Sequence, residues 1–150
     1  QDREAGIINA YIQRGADYAD SYYEASKTYG VPADLLIRQG GAESMWRHEY
    51  VSGKRGSKAG AVGVAQLLKE TATDMGLVVN SKIDERTDPH KSIMAQAKYM
   101  KWLYKQTGDW KSAVAAYNLG IGNWKDFKAG KRGLPKETIE YSDVITGGYE

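Results

Sequence analysis

The chain has 150 residues, a length that suits a single globular domain with a sizeable core. The chain has 21 basic and 19 acidic residues, which gives a net charge of +2. A protein that works mainly by binding nucleic acid would carry a larger excess of positive charge. Cysteine is absent, which excludes disulfides, a thiolate nucleophile and cysteine metal ligands. No apolar run approaches the ~18 residues that a membrane-spanning helix needs.

The start of the chain has neither an initiator methionine nor a basic-then-apolar signal pattern after Gln1. We therefore expect either a processed protein or a segment of a longer chain. The absence of cysteine leaves the cellular compartment open.

The aromatic residues are unusual in kind, because eleven tyrosines and four tryptophans accompany a single phenylalanine. Tyrosine and tryptophan combine a flat apolar face with a polar group. They suit either the margin of a hydrophobic core or a groove for a ligand that is flat and hydroxylated, such as a glycan.

Most of the first half has the apolar spacing of helices. We predict helices over residues 4–14 and 17–29, the second ending at Gly30 because glycine readily adopts the left-handed conformation of a helix end. A third helix is predicted over 32–43, with proline at its first position. Residues 47–62 follow as a long polar loop.

The second half is predicted as helices joined by short turns. Apolar residues at spacings of three and four indicate a helix over 64–75. After a loop over 77–87, capping and glycine signals predict further helices over 88–108, 109–119, 123–128 and 135–145. We therefore expect a single, mostly α domain of about seven helices, with little or no β structure and no internal repeat.

Glu43 ends the third predicted helix, where Gln39 and Gly40 lie on the same face one turn earlier. A carboxyl group near the apolar interior would be desolvated, which raises its pKa and makes it a candidate general acid. The alternative is a structural glutamate that is solvated or pairs with Arg38 or Arg47.

Two further segments carry polar groups that suit a cleft. Gln66 follows a glycine-rich run from Gly60 to Gly63, and its amide could bind a ligand amide or hydroxyl, although a tight helix crossing also explains the glycines. Tyr117 and Asn118 end a predicted helix, where they form either a cleft edge or a simple helix cap.

The histidines predict no metal site, since His48 and His90 lack suitably spaced partners, and we expect no cofactor. Three basic loop residues are expected to be solvated, where they could steer an anionic polymer: Lys54, Arg55 and Lys58.

These segments become specific in combination. Five motifs occur in order over about 100 residues: Glu43-Ser44 with Trp46, Gly60-Ala-x-Gly63-x-x-Gln66-Leu67 with Thr71-Ala72, Asp88-Pro89, Ala116-Tyr117-Asn118-x-Gly120, and Leu134-Pro135-x-Glu137-Thr138 with Tyr141. Together, roughly residues 20–146 resemble the catalytic domain of soluble lytic transglycosylases, the SLT domain, which is related to goose-type lysozyme. The resemblance implies a lysozyme-like helical domain with a long active-site loop, and it leaves residues 1–19 as an N-terminal helical extension.

The resemblance also implies roles for individual residues. Glu43 matches the catalytic acid/base, and Tyr141 matches a cleft tyrosine that helps to hold it. The other positions that match substrate-binding residues are Ser44, Gln66, Tyr117, Asn118 and Glu137. The family places one more serine in the loop after the acid, and counting from either end of that loop points to Ser52 or to Ser57.

The sequence also departs from the usual pattern in three places. The loop between Glu43 and Gln66 is a few residues longer than the common form, Val64-Ala65 replaces Leu-Met, and a proline before Thr71 is missing. These departures bear on the preferred muropeptide or subsite, and they remove no catalytic group.

Ordinary glycosidases use two carboxylates, ~5 Å apart for retention or ~6.5–9.5 Å for inversion, and no second acid here has sequence support comparable to that of Glu43. The resemblance implies that one is enough, because the 6-hydroxyl of N-acetylmuramic acid attacks its own C1 to give a 1,6-anhydro product. A lysozyme-type hydrolase of the same bond and a non-catalytic glycan- or partner-binding module are the alternatives.

The expected partner is the glycan strand of peptidoglycan, with no nucleic acid and no membrane span in this segment. We expect the domain either in the periplasmic cell envelope or in a larger chain, phage particle or secretion machine that acts on the wall.

Overall fold

The structure, a computed structural model, describes residues 13–147. The predicted first helix over 4–14, and with it most of the predicted N-terminal extension, lies outside the described residues, although residues 13–16 are helical. The elements that follow are α1 (Ala19–Tyr29), α2 (Ala33–Glu43), α3 (His48–Val51), α4 (Lys69–Asp74), a 3₁₀ turn (Glu85–Thr87), α5 (Pro89–Thr107), α6 (Trp110–Leu119), α7 (Ile121–Lys128) and α8 (Lys136–Thr146).

The described residues form no β-sheet. Antiparallel pairing is limited to isolated bridges, which join Val62 to Leu67 and Val79 to Asp84. The prediction of a mostly α fold with little or no β structure is therefore confirmed. Over residues 13–147, no helix combines the length and the apolar character that crossing a lipid bilayer requires.

Single residues mark several helix ends, as their chemistry predicts. Gly30 takes the left-handed conformation at φ 72°, and its N–H donates to the carbonyl oxygen of Ser26 at the end of α1. At the start of α6, the Asp109 carboxylate accepts a hydrogen bond from the backbone N–H of Ser112. These two ends are where the sequence predicts them.

The predicted helix over 64–75 is wrong in its first half. Gly63 has a φ of 89° and Gln66 a φ of 50°, values that do not occur in a right-handed helix. The backbone instead turns back on itself, closes the bridge between Val62 and Leu67, and becomes helical only at Lys69.

Two smaller boundaries also differ from prediction. The polar loop over 47–62 contains the short helix α3. Helix α7 starts at Ile121, two residues before the predicted start, so Gly122 lies inside it.

The described chain divides into two compact units, one up to Lys98 and one from Tyr99 onward, with α5 contributing to both. In the first unit, α1 packs against α2. Its fully buried apolar side chains include Leu35, Leu36, Val64 and Ile93. They come from helices and from the turn around Gln66, so this turn is part of the core of the unit.

In the second unit, α6 packs most extensively against α8 and also contacts α7. Its interior contains Met100, Leu103, Val114 and Ile145, all fully buried. The alanines of α6 are buried as well, and their small side chains allow a close approach of the neighbouring helices.

Candidate functional site

Glu43 is the last residue of α2, as predicted, and its side chain is half-buried. A buried amide pair supports the helix one turn earlier. Gln96 Nε2 on α5 donates to Gln39 Oε1 at 2.7 Å and to the carbonyl oxygen of Leu36 at 3.2 Å. Because buried hydrogen bonds of this kind hold two elements in one arrangement, the end of α2 that carries Glu43 has a rigid support.

The backbone reverses sharply just after Glu43. Met45 and Trp46 have φ values of 51° and 52°, in the left-handed region that costs a non-glycine residue about 1–2 kcal/mol. The buried Ser44 hydroxyl donates to the Gly40 carbonyl oxygen at 3.3 Å and accepts from the Trp46 N–H at 3.1 Å. Ser44 therefore stabilises the turn, and its contact with substrate stays a prediction.

A buried aromatic pair explains why position 40 is occupied by glycine. Trp46 Nε1 donates a 2.8 Å hydrogen bond to the Tyr22 hydroxyl, and the two rings meet edge to face with centroids 6.4 Å apart. A Cβ atom at position 40 would lie 2.1 Å from that hydroxyl. Tyr22 is fully buried, and its hydroxyl finds a hydrogen-bond partner in the interior.

The two loop serines differ in their surroundings. Ser52 directly follows α3 and is half-buried, with the Lys54 N–H 3.5 Å from its Oγ. Ser57 is exposed, and its Oγ accepts a 3.0 Å hydrogen bond from the Ala61 N–H. Ser57 thus stabilises its own loop, and the choice between the two serines as the groove residue stays a prediction.

Gln66 lies in the tight turn described above and is half-buried. Its Nε2 donates a 2.9 Å hydrogen bond to the carbonyl oxygen of Gly63. This bond orients the carboxamide group and uses one of its two N–H donors. The carboxamide oxygen is consequently the atom best suited to accept a hydrogen bond from a ligand.

Arg86 holds both ends of the segment that carries Gln66, a role that no sequence pattern indicated. Its Nη1 donates to the carbonyl oxygens of Gly60 at 3.1 Å and Leu67 at 3.0 Å. Its Nε and Nη2 donate to the Asp84 carboxylate at 2.9 and 2.8 Å, and this hydrogen bonding holds the pKa of Asp84 below its ordinary value. Because the Arg86 side chain is buried and all three guanidinium nitrogens donate hydrogen bonds, it fixes the turn in place.

The backbone of Arg86 also packs tightly against the turn. A Cβ atom at position 63 would lie 2.0 Å from the Arg86 carbonyl oxygen, so Gly63 is required by close approach as well as by its positive φ. The spacing of Asp84 and Arg86 is the sequence signal that could have identified this ion pair. An aspartate two residues before an arginine can accept hydrogen bonds from the backbone N–H and from the side chain of that arginine.

The second unit contains the other predicted residues. Tyr117 and Asn118 lie in the last turn of α6, and both are half-buried. The Thr138 hydroxyl on α8 donates a 2.8 Å hydrogen bond to Asn118 Oδ1. Asn118 is therefore more than a helix cap, since its amide links two helices.

Helix α8 carries Glu137 and Tyr141 four residues apart on one face. Glu137 is exposed, and Tyr141 is half-buried. The bond between Asn118 and Thr138 connects this helix to the end of α6, so within the second unit the structure ties together the segments that carry all four predicted residues.

A pocket of about 300 Å³ in the second unit is lined by none of the predicted site residues. On α8 it is bordered by Thr138, Ile139, Ser142 and Asp143, which point away from the face of Glu137 and Tyr141. Lys128 Nζ lies 5.8 Å from the centroid of the Trp124 ring at its side. The predicted chemistry therefore does not belong to this pocket.

Comparison with known proteins places the chain in a family. The sequence model of the family described as "Transglycosylase SLT domain" matches residues 20–139. Relatives include the membrane-bound lytic murein transglycosylase F of Pseudomonas fluorescens, which is 32% identical over 93% of this chain and 30% of its own length. The protein of the same name from Maricaulis maris is 32% identical over 74% of this chain and 24% of its own length.

Solved structures agree on the fold. The 70 kDa soluble lytic transglycosylase of Escherichia coli matches with a TM-score of 0.71 and 22% identity, over 86% of this chain and 23% of that one. An inactive mutant of the lytic transglycosylase Slt of Pseudomonas aeruginosa matches with a TM-score of 0.70 and 20% identity, over 85% and 22%. The chain thus spans less than a third of the length of each of these relatives and structures. On the strength of the family match, it belongs to the Transglycosylase SLT domain family.

Proposed function

We propose that this domain is a peptidoglycan lytic transglycosylase that cleaves the β-1,4 bond between N-acetylmuramic acid and N-acetylglucosamine, with Glu43 as its acid/base. The observation that supports this proposal is the position of Glu43 at the end of α2. It is a half-buried carboxyl group at a helix end, supported by the Gln39–Gln96 amide pair and followed by a strained turn. Backbone strain of this kind is often found where a side chain must be held for chemistry.

The proposed reaction needs one carboxyl group. Glu43 donates its proton to the glycosidic oxygen, and the bond from that oxygen to C1 of N-acetylmuramic acid breaks. The Glu43 carboxylate then takes the proton of the 6-hydroxyl of the same sugar, whose oxygen bonds to C1 and closes the 1,6-anhydro ring. The nucleophile is part of the substrate, so its proximity replaces a positioned water.

Three acids near these segments in sequence are exposed, unlike Glu43, whereas Glu49 on α3 is half-buried. Glu70 and Asp74 are exposed on α4, and Glu137 is exposed on α8. Exposed carboxyl groups are weaker candidates for a second catalytic group, because catalytic side chains are usually held in place by packed neighbours. Their surroundings are consistent with a mechanism that uses a single glutamate.

We assign supporting roles to the remaining predicted residues. The carboxamide of Gln66 and the amide of Asn118 suit the N-acetyl groups of the glycan, and Tyr117 offers a flat face with a hydroxyl. Tyr141 would help to hold Glu43, and Glu137 would contact the strand. Ser44 would contact the substrate, and one of the two loop serines, Ser52 or Ser57, would line the groove.

The biological setting follows from the substrate. We propose that the domain acts on murein in the bacterial cell envelope, as part of a protein that is longer than this chain. A phage particle or a secretion machine that opens the wall locally would use the same chemistry.

The experiment is mass spectrometry of the fragments that the domain releases from purified peptidoglycan. Anhydro ends, each lighter by one water than a reducing end, are expected with the unmodified protein and not with Glu43→Gln. Glu70→Gln is the matched control and should leave the products unchanged. Reducing ends would instead identify a lysozyme-type hydrolase. Equal activity of the Glu43→Gln variant would exclude Glu43 as the acid/base of either enzyme, and no cleavage by the unmodified protein would indicate a binding module.

A further inference from the structure

Three aromatic rings of the second unit form a continuous row. The Tyr117 and Tyr99 ring centroids are 5.4 Å apart, and the Tyr99 and Trp102 centroids are 6.1 Å apart. The planes of Tyr99 and Trp102 differ by only 14°, so these two rings lie nearly parallel. The row leads from Tyr117 at the end of α6 to the surface of α5.

Trp102 is the exposed end of this row. Its relative exposure is 39%, whereas Trp46 and Trp124 are only 3% and 8% exposed. A tryptophan that stays in water forfeits apolar burial that would stabilise the fold. Trp102 is therefore a candidate ligand contact. A single exposed ring does not by itself indicate a binding site, so the row of rings and the neighbouring side chains matter here.

Two polar side chains lie near Trp102 on the surface of its helix. Lys105 and Gln106 follow Trp102 at three and four residues, so they lie beside it on the helix surface, and both are exposed. An ammonium group and an amide next to a flat ring can bind the carboxylate, acetamido and hydroxyl substituents of a sugar chain. This combination favours a glycan as the occupant over a purely apolar partner.

We propose that Tyr99 and Trp102 form an additional sugar-stacking subsite, which continues from Tyr117 and takes a pyranose ring of the glycan strand. Lys105 and Gln106 contact the polar substituents of that sugar. The inference rests on the proposed function, which assigns Tyr117 to glycan binding. Its consequence is a preference for strands long enough to reach Trp102.

Binding is measured with the Glu43→Gln protein, which holds strands without cleaving them. Uncross-linked glycan strands should shift the NMR signal of the Trp102 indole N–H, assigned by its loss in Trp102→Phe. Trp102→Ala should weaken binding of long strands by about three- to tenfold, and Trp102→Phe by less, because an aromatic ring remains. Disaccharide fragments should bind equally to the Glu43→Gln protein and to its Trp102→Ala and Trp102→Phe derivatives.

Tyr104→Ala is the matched control. Tyr104 lies on the same helix, is 37% exposed and packs against Trp110 with centroids 4.2 Å apart, but it is not part of the row. This variant should bind long strands like the parent protein. The indole shift is measured on protein with an intact row, and only its assignment uses Trp102→Phe, so it stands even if Trp102→Ala folds poorly.

The outcomes separate the subsite from the activity. If the domain releases anhydro products while glycan leaves the Trp102 signal unmoved, or if Tyr104→Ala loses as much affinity as Trp102→Ala, the subsite is refuted and the activity stands. If no Glu43-dependent cleavage occurs but the Trp102 signal shifts with glycan, the activity is refuted and the sugar-binding surface is retained.

Discussion

Arg86 and Asp84 form a two-point charge pair, in which Nε lies 2.9 Å from Oδ1 and Nη2 lies 2.8 Å from Oδ2. The same guanidinium binds the carbonyl oxygens of Gly60 and Leu67, which flank the turn of Gln66. One buried side chain thus connects a loop acid with both ends of the segment that presents a proposed substrate-binding amide.

Arg86→Lys should therefore loosen the turn. A lysine keeps the charge but cannot donate in a planar fork to a carboxylate and to two carbonyl groups. We expect a loss of about 1–3 kcal/mol in the free energy of unfolding, measured with urea. The KM for glycan should rise more than kcat falls, because Gln66 is assigned to binding.

Arg132→Lys serves as the control for Arg86→Lys, since Arg132 is exposed. It should change neither stability nor KM. If Arg86→Lys lowers kcat and leaves KM unchanged, Arg86 does not act by positioning Gln66.

Asp84→Asn should alter the acid stability of the protein. Because hydrogen bonding to Arg86 lowers the pKa of Asp84 in the folded state, the carboxylate contributes stability that is fully present above its unfolded pKa of 3.8. That contribution is lost as the pH falls through the lower folded value. The parent protein should lose its stability advantage over Asp84→Asn as the pH drops below about 4.

The measurement for Asp84 is the urea midpoint as a function of pH. Asp126→Asn replaces an exposed acid and should give a curve parallel to that of the parent protein. A constant difference between Asp84→Asn and the parent down to pH 2 would contradict the assignment.

Gly40→Ala should destabilise the first unit, because the new Cβ would lie 2.1 Å from the Tyr22 hydroxyl. We expect a cost of about 1–3 kcal/mol in thermal or urea unfolding. In a Tyr22→Phe background the cost should be smaller, since the clashing oxygen is gone, although Tyr22→Phe alone loses the hydrogen bond from Trp46.

Gly122→Ala is the counterpart of Gly40→Ala. Gly122 also lies in a helix, but no atom approaches the position of its Cβ within 4 Å. Alanine there should be neutral or stabilise the protein by up to about 1 kcal/mol. Additive effects of Gly40→Ala and Tyr22→Phe would show that the two positions do not interact.

Thr138→Val should uncouple Asn118 from α8 while keeping the shape of the side chain. Loss of the 2.8 Å hydrogen bond should cost about 1 kcal/mol in unfolding free energy. Cleavage of peptidoglycan should fall as well, because the Asn118 amide is no longer oriented. Thr73→Val, at an exposed threonine of α4, should have neither effect, and unchanged cleavage by Thr138→Val would mean that this bond is purely structural.

Helix ends were the most predictable part of the fold. Gly30 and Asp109 act through their own backbone or side chain on groups within four residues, so their effect is visible in the sequence. The end of α2 at Glu43 followed in the same way from local apolar spacing and the neighbouring glycines. Local interactions of this kind are independent of the rest of the chain.

The segment around Gln66 was not predictable in the same way. Its spacing of apolar residues fits a helix, yet Val64 and Leu67 lie in a turn, where their side chains are buried. Hydrogen bonds from Arg86, about 20 residues later in the chain, hold this turn in place. A helical pattern records which side chains are buried and not how the backbone brings them there. Contacts between residues distant in sequence therefore determine the backbone conformation at Gln66, a proposed site residue.

By itself, the sequence determined a mostly α chain, the helix that ends at Glu43 and the residues on which the family resemblance rests, because periodicity, capping and motif order are properties of neighbouring residues. Only the tertiary structure decided that Arg86 and Asp84 support Gln66, that Tyr22 is buried beneath Gly40 and Trp46, and that Tyr117, Tyr99 and Trp102 form one row. The physical reason is that hydrogen bonds and ring contacts depend on distances of a few ångströms between residues far apart in the chain, and no linear pattern encodes those distances.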